Sequence, residues 1–246
     1  MTIQKLLITE LPDYRIRVSQ RAKRMQLKVS PLGTVEVVIP YGHNPNKIPA
    51  FVSEHRAWIN KTLARMKQHH WTQPELKQLL PVQIKLLAVD KMWTVEYDID
   101  AAQRNLSIKK TNDMRLRVNA KDEVTSREVL RRWFIVEAKF HLLPWLRQVS
   151  HDVDLHFTKA TVRGQKTRWG SCTARKNISL NRNLLFLPSQ VVRYLFIHEL
   201  CHTVYLNHSK KYWALVETLE PDYRSLDAEL RKADRYVPLW IHPDYS

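Results

Sequence analysis

The chain has 246 residues, 44% of them hydrophobic and 26% charged, with a formal net charge of +16 and two cysteines. That composition suits a globular protein with one large core or two modest ones, and it excludes a disordered chain, a disulfide-stapled scaffold and a four-cysteine metal knuckle. The surplus positive charge attracts anions, whether nucleotide, nucleic acid, acidic protein or anionic lipid surface, without choosing among them.

The stretch MTIQKLLITELPDYRIR reaches Glu10 and Asp13 before any apolar run long enough for a signal segment, and no later stretch approaches about eighteen uncharged apolar residues. A soluble cytoplasmic protein with no membrane span is expected. Between residues 14 and 39 the pattern alternates. Tyr14, Ile16 and Val18 oppose Arg15 and Arg17; Met25, Leu27 and Val29 oppose Gln26 and Lys28; Val35, Val37 and Ile39 follow the turn signal SPLGT. These read as strands of an antiparallel sheet with one apolar face and one basic face.

Pro49 then opens a helix on which Phe51, His55, Trp58, Thr62, Leu63 and Met66 recur every three or four residues. HHWTQPE interrupts it, and adjacent His69 and His70 point apart, as a loop pair rather than a ligand pair. Residues 83 to 119 return to alternation, clearest in MWTVEYDI and MRLRV, with TND as a hairpin turn. The period then changes. Thr125-Ser126-Arg127-Glu128 reads as a capping box opening a long helix that Pro144 kinks or divides. The domain boundary is therefore placed near residue 120, giving an N-terminal α+β domain, 1–120, and a C-terminal domain, 121–246. No internal repeat is evident.

Beyond that helix, Gly164 and Gly170 punctuate a cluster of Arg and Lys, NISLNRNLLFLP supplies a strand, and Pro188 starts a helix predicted to run through Leu206. SKKYWALVETLE reads as a further helix, capped by Ser209 and stopped by Pro221. The first of these two helices carries HELCHTVYLNH, residues 198 to 208. Its His198 and His202 are four residues apart, roughly 40° around the axis and about 6 Å along it, so both imidazoles reach one ion. Glu199 sits one step round, outside the ligand set but beside the ion's water, where a carboxylate takes a proton.

A catalytic zinc needs a third protein ligand and one open position. On an unbroken helix His208 would lie about 9 Å past His202 and roughly 240° around, so the chain must leave the helix between them. The HExxHxxGxxH zinc proteases bend at a glycine; Tyr205 stands at that position here, and Asn207 is a residue type that tolerates a left-handed bend. Glu217, on the following helix, is the alternative third ligand. Cys201 is read as a small core residue.

RWGSC at 168 to 172, NISLN at 177 to 181, HELCH at 198 to 202 and NHSKKYW at 207 to 213 resemble the YgjP-like family of zinc-dependent hydrolases, relatives of the SprT-like and Wss1-like zincins. RAKRMQLKVSPLGTVEVVIP and VSEHRAWINKTL are similar to that family's N-terminal part. The resemblance implies one zinc ion on His198, His202 and His208, and a small zincin-like catalytic domain with an HExxH helix. It also implies a strand before that helix that pairs with an extended peptide, for which NISLN is the candidate, the other reading being an ordinary interior strand.

The expected function is a zinc-dependent hydrolase, a metallopeptidase in which Glu199 activates a zinc-bound water, acting on peptide or protein. Arg168, Tyr205 and Tyr212 are candidate oxyanion or substrate contacts. Two alternatives stand beside it. A nucleotide or phosphoanhydride hydrolase would use Arg163, Lys166 and Arg168, although no GxxxxGK loop is present. A basic nucleic-acid-associated zinc protein would stack bases on RRWF and TRWG.

Overall fold

In the computed structural model, which describes residues 12–29, 33–69, 78–102, 104–165 and 168–242, the alternating stretches form ten strands in three small sheets, and the helical patterns form six α-helices among those residues. The α+β class read from the sequence is the class observed. By packing the chain divides into two units, Met1–Pro74 and Glu75–Ser246, each with its own apolar core. No helix among the described residues is long and apolar enough to cross a membrane.

The first unit holds β1 (Tyr14–Ser19), β2 (Gln26–Val29) and β3 (Val35–Pro40) in the order β1-β3-β2. β2 is antiparallel to β3, but β1 is parallel to it, so the sheet is mixed rather than antiparallel. The hairpin takes one edge of β3 and leaves the other for β1. Val35, Val37 and Ile39 pack with Ile48, Val52 and Ile59 from α1 (Ile48–Glu54) and α2 (Arg56–His69). Ile16 and Val18, expected on the apolar face, are 52% and 55% exposed.

The single helix expected after Pro49 is two helices. The ring nitrogen Nδ1 of His55 donates to the Phe51 carbonyl at 2.8 Å, and the backbone leaves helical geometry at His55. The break moves the buried face onto Ile48, Val52 and Ile59 and leaves Trp58 47% exposed. His70, with the side chains of Met66 and His69, lies outside the described residues, as does Lys166.

In the second unit β4 (Gln83–Leu86), β5 (Lys91–Ile99), β6 (Ser107–Lys110) and β7 (Arg115–Ala120) form a sheet in the order β4-β5-β7-β6, with the expected hairpin turn at Thr111 to Asp113. A third sheet joins β8 (Lys159–Arg163), β9 (Gly170–Cys172) and β10 (Asn177–Asn181) in the order β8-β10-β9. One three-strand arrangement thus recurs three times. In β1-β3-β2, β5-β7-β6 and β8-β10-β9 the first strand runs parallel to the third, and the second pairs antiparallel on its far side.

The long helix α3 (Glu123–Asp152) packs on β7, on β8 and on α4 (Ser189–Cys201). Its cap is Asp122 rather than Thr125. The Asp122 carboxylate accepts from Thr125 N at 2.8 Å, and the Thr125 hydroxyl accepts from Asp122 N at 3.2 Å, a reciprocal box that starts the helix earlier than predicted. Pro144 does not divide α3, because Leu142 and Leu146 on either side are fully buried and hold both halves in place. Ile84, Val95, Leu116 and Val118 of the sheet share one core with Leu130 and Phe134 of α3. Packing therefore runs continuously through residue 120, where the boundary was expected, and the division falls between Pro74 and Glu75.

Candidate metal centre

α4 follows Pro188, which is its N-cap residue, and buries Val191, Val192, Leu195, Phe196 and Leu200. This apolar stripe fixes the rotation of the helix and so the direction of its last turn, which carries His198 and Glu199. The helix ends at Cys201 with His202 as its C-cap, short of the predicted Leu206. Thr203 N and Val204 N bond back to Leu200 O and Cys201 O at 2.9 and 3.1 Å, and Tyr205 N bonds to Cys201 O at 3.0 Å. The first two are tightened i→i−3 bonds, and with the third they turn the chain out of the helix without a glycine. Asn207 is not among the described residues with positive φ, so the left-handed bend expected there is absent.

The turn carries His208 back to the helix end. The ligand nitrogens of His198, His202 and His208 all lie within 4.8 Å of one another, and Nε2 of His208 is 3.3 Å from Nε2 of His198. Two nitrogens each about 2.0–2.1 Å from one tetrahedral ion would be about 3.3–3.4 Å apart, so this pair has the spacing of a shared zinc. The donor set, three imidazoles and no thiolate, suits zinc in a catalytic rather than a four-thiolate structural site.

The rings of His202 and His208 are each oriented by a neighbour. Nδ1 of His202 donates to the Tyr205 carbonyl at 3.0 Å, which leaves its Nε2 as the lone-pair nitrogen. Tyr212 stacks on the His202 ring at 4.6 Å and 25°, and its hydroxyl donates to the His198 carbonyl at 3.1 Å. Trp213 stacks on His208 at 5.5 Å and 26°. Ser209 caps α5 (Lys210–Leu219), accepting from Tyr212 N at 3.3 Å, and thereby sets both aromatic side chains under the histidines.

Burial, then the neighbouring His202 and His208, push His198 down to about 4, so it is neutral and able to ligate at physiological pH. Burial also lowers His202. The negative charge of Asp227 on α6 (Tyr223–Leu230), which accepts from the Tyr194 hydroxyl at 3.1 Å, works against the fall at His198. Glu199 is 4% exposed and lies against the backbone of Gly170 on β9. Burial raises its carboxyl to about 8, and the positive charge of Arg168 works against that rise.

The remaining predicted residues divide. Arg168 is exposed and near enough for its charge to act on Glu199. Tyr205 contributes its backbone carbonyl. Tyr212 is fully buried with its hydroxyl already engaged, which places it beneath the histidines rather than at an open oxyanion position. Glu217 is exposed and pairs with Arg224 at 3.7 Å, outside the histidine cluster. Cys201 is buried in the core, as expected. Asn181, unnoticed in the sequence except as the end of NISLN, is 4% exposed, and its side-chain amide donates to the carbonyls of Gln165 and Arg168 at 2.9 Å each. NISLN is the central strand of its sheet, paired on both edges, so it is an interior strand with no edge free for a peptide.

Among known protein families, residues 23–233 match the model described as YgjP-like, metallopeptidase domain. Among solved structures the chain is similar to the metallopeptidase zymogen abylysin of Pyrococcus abyssi, with 21% identity over 39% of this chain and 98% of that one and a TM-score of 0.34. It is also similar to the metallopeptidase zymogen jannalysin of Methanocaldococcus jannaschii, with 13% identity over 37% of this chain and 95% of that one and a TM-score of 0.34. Curated proteins give no significant match.

Proposed function

This chain belongs to the YgjP-like metallopeptidase family and is a metal-dependent hydrolase, and from that premise we propose that it is a zinc peptidase of zincin type whose ligands are His198, His202 and His208 and whose general base is Glu199. The observation that carries the reading is the 3.3 Å approach of two Nε2 atoms from residues ten apart, beside a buried carboxylate. A zinc ion held by His198, His202 and His208 would supply Lewis acidity for a peptide carbonyl and would lower the pKa of a bound water toward about 7.

The protein's own groups do the rest. Beside the cation that the three histidines would hold, Glu199 is drawn toward its carboxylate form, in which it takes the proton of the attacking water and then returns it to the leaving amine. Its burial excludes bulk water and favours the protonated form between those steps. Tyr205 O holds His202 in the ligating tautomer, and Tyr212 and Trp213 keep the rings from rotating away. Arg168 stands at the mouth, where its charge acts on Glu199 and would attract a carbonyl oxygen gaining negative charge. The outer edge of β9, which has β10 as its only partner among the described strands, is where an extended peptide would pair. Both cysteines are free, which suits a reducing, cytoplasmic setting.

The test couples metal analysis to hydrolysis. Wild type should hold one zinc and cleave members of a peptide library, and Glu199→Gln should hold the same zinc with kcat lower by about 10²-fold or more. Wild-type turnover in Glu199→Gln would remove the base. Phosphate release from nucleoside triphosphates without peptide cleavage would replace the substrate class.

A further inference from the structure

We propose that Gly170, within RWGSC, is a positioning residue for Glu199: its bare Cα forms the slot in which the carboxylate sits. The proposal rests on Glu199 being the base. A Cβ built on Gly170 would press on Oε1 of Glu199 and lie 2.8 Å from its Cγ and 2.9 Å from its Cδ, closer than real Cβ contacts come. No other described glycine has this relation to a functional group. Gly33 and Gly42 have positive φ, at 81° and 76°, and so serve the backbone, while a Cβ on Gly164 would meet the guanidinium end of Arg182 at 3.2 Å. Gly170 has no positive φ, so space alone explains glycine there.

Neither side of the contact can withdraw. β9 is tied to β10 with Gly170 opposite Leu180, which is fully buried, and Asn181 N donates to Trp169 O at 2.8 Å. The Asn181 amide pins the carbonyls at Gln165 and Arg168 on the approach to the strand. Glu199 is enclosed on the last turn of α4, with 4% of its surface exposed. An added methyl group must therefore displace the carboxylate by about 1 Å, enough to cost about 10²-fold in rate when the displaced group does the chemistry. The three atoms nearest that Cβ all belong to Glu199 and none to His198, His202 or His208.

The experiment compares Gly170→Ala in the wild-type and Glu199→Asp backgrounds, with Glu199→Gln alongside, by zinc content and by kcat and KM on a cleaved library peptide. Gly170→Ala should keep one zinc and a near-normal KM while kcat falls about 10²-fold. In the Glu199→Asp background, where the shorter side chain makes room, the same change should cost less than about fivefold. A wild-type kcat, an equal loss in both backgrounds, or loss of zinc would overturn the proposal. Should Gly170→Ala not fold, Gly170→Ala with Glu199→Ala removes every Glu199 atom the methyl meets and should restore a cooperative melt; failure to do so also overturns it. An active Glu199→Gln would instead sink the base assignment, whereas an inactive Glu199→Gln beside a fully active Gly170→Ala would sink this proposal alone.

Discussion

The ligand nitrogens of His198, His202 and His208 lie within 4.8 Å of one another, and burial together with the neighbouring imidazoles lowers His198 and His202. Deprotonated rings are what a divalent ion needs, and His198 and His202 favour that form. His198→Ala, His202→Ala and His208→Ala should each lower zinc from one per chain to well below one in elemental analysis after gel filtration. Retention of stoichiometric zinc in His208→Ala would show that the third ligand lies elsewhere. Glu199 carries its own pH signature. Its carboxyl is raised to about 8 from an ordinary 4.5, so between those values the folded state holds a proton that the unfolded chain has lost. That stabilisation is complete below about pH 4.5 and disappears as pH rises through about 8. In metal-free protein, Glu199→Gln should therefore melt above wild type by a margin that grows from about pH 5 to about pH 8 and then levels off, with His198 common to both and cancelling. A margin independent of pH would contradict a buried, raised carboxyl.

The β9–β10 pair and the end of α4 are the two elements that build the centre, and both were partly visible in the sequence. HELCH announced itself through the four-residue spacing, which any helix converts into one face. RWGSC and NISLN did not announce their roles, because a glycine that makes room and an asparagine that clamps two carbonyls act on partners distant in sequence. Asn181→Ala should leave the Gln165 and Arg168 carbonyls unsatisfied and cost about 1–3 kcal/mol in denaturant unfolding. A change within error would mean that the clamp does not hold the loop. Where the elements departed from expectation, a side chain had entered the backbone accounting. His55 took the Phe51 carbonyl and split a helix, and Asp122 outcompeted Thr125 for the cap. The threefold recurrence of the strand arrangement also escaped notice, since the faces buried in each sheet differ and the residues do not repeat.

For the molecule as a whole, the two apolar cores share no residue, and the histidines, Glu199, Gly170 and Asn181 all belong to the unit beginning at Glu75. A chain consisting of residues 75 to 246 should fold cooperatively by itself and bind one zinc, checked by thermal melting and elemental analysis; a fragment that binds none would show that the first unit is needed to complete the centre. The sequence by itself determined the α+β class and the family and pointed to His198, Glu199 and His202 as candidates, because strand alternation and helical spacing are local properties of the chain. Only the tertiary structure decided that His208 returns to the helix end, that Glu217 and the Tyr212 hydroxyl are committed elsewhere, and that the strand beside Glu199 carries Gly170. Those outcomes depend on how turns and sheets bring distant residues within a few ångströms, and no periodicity in one stretch of chain records that.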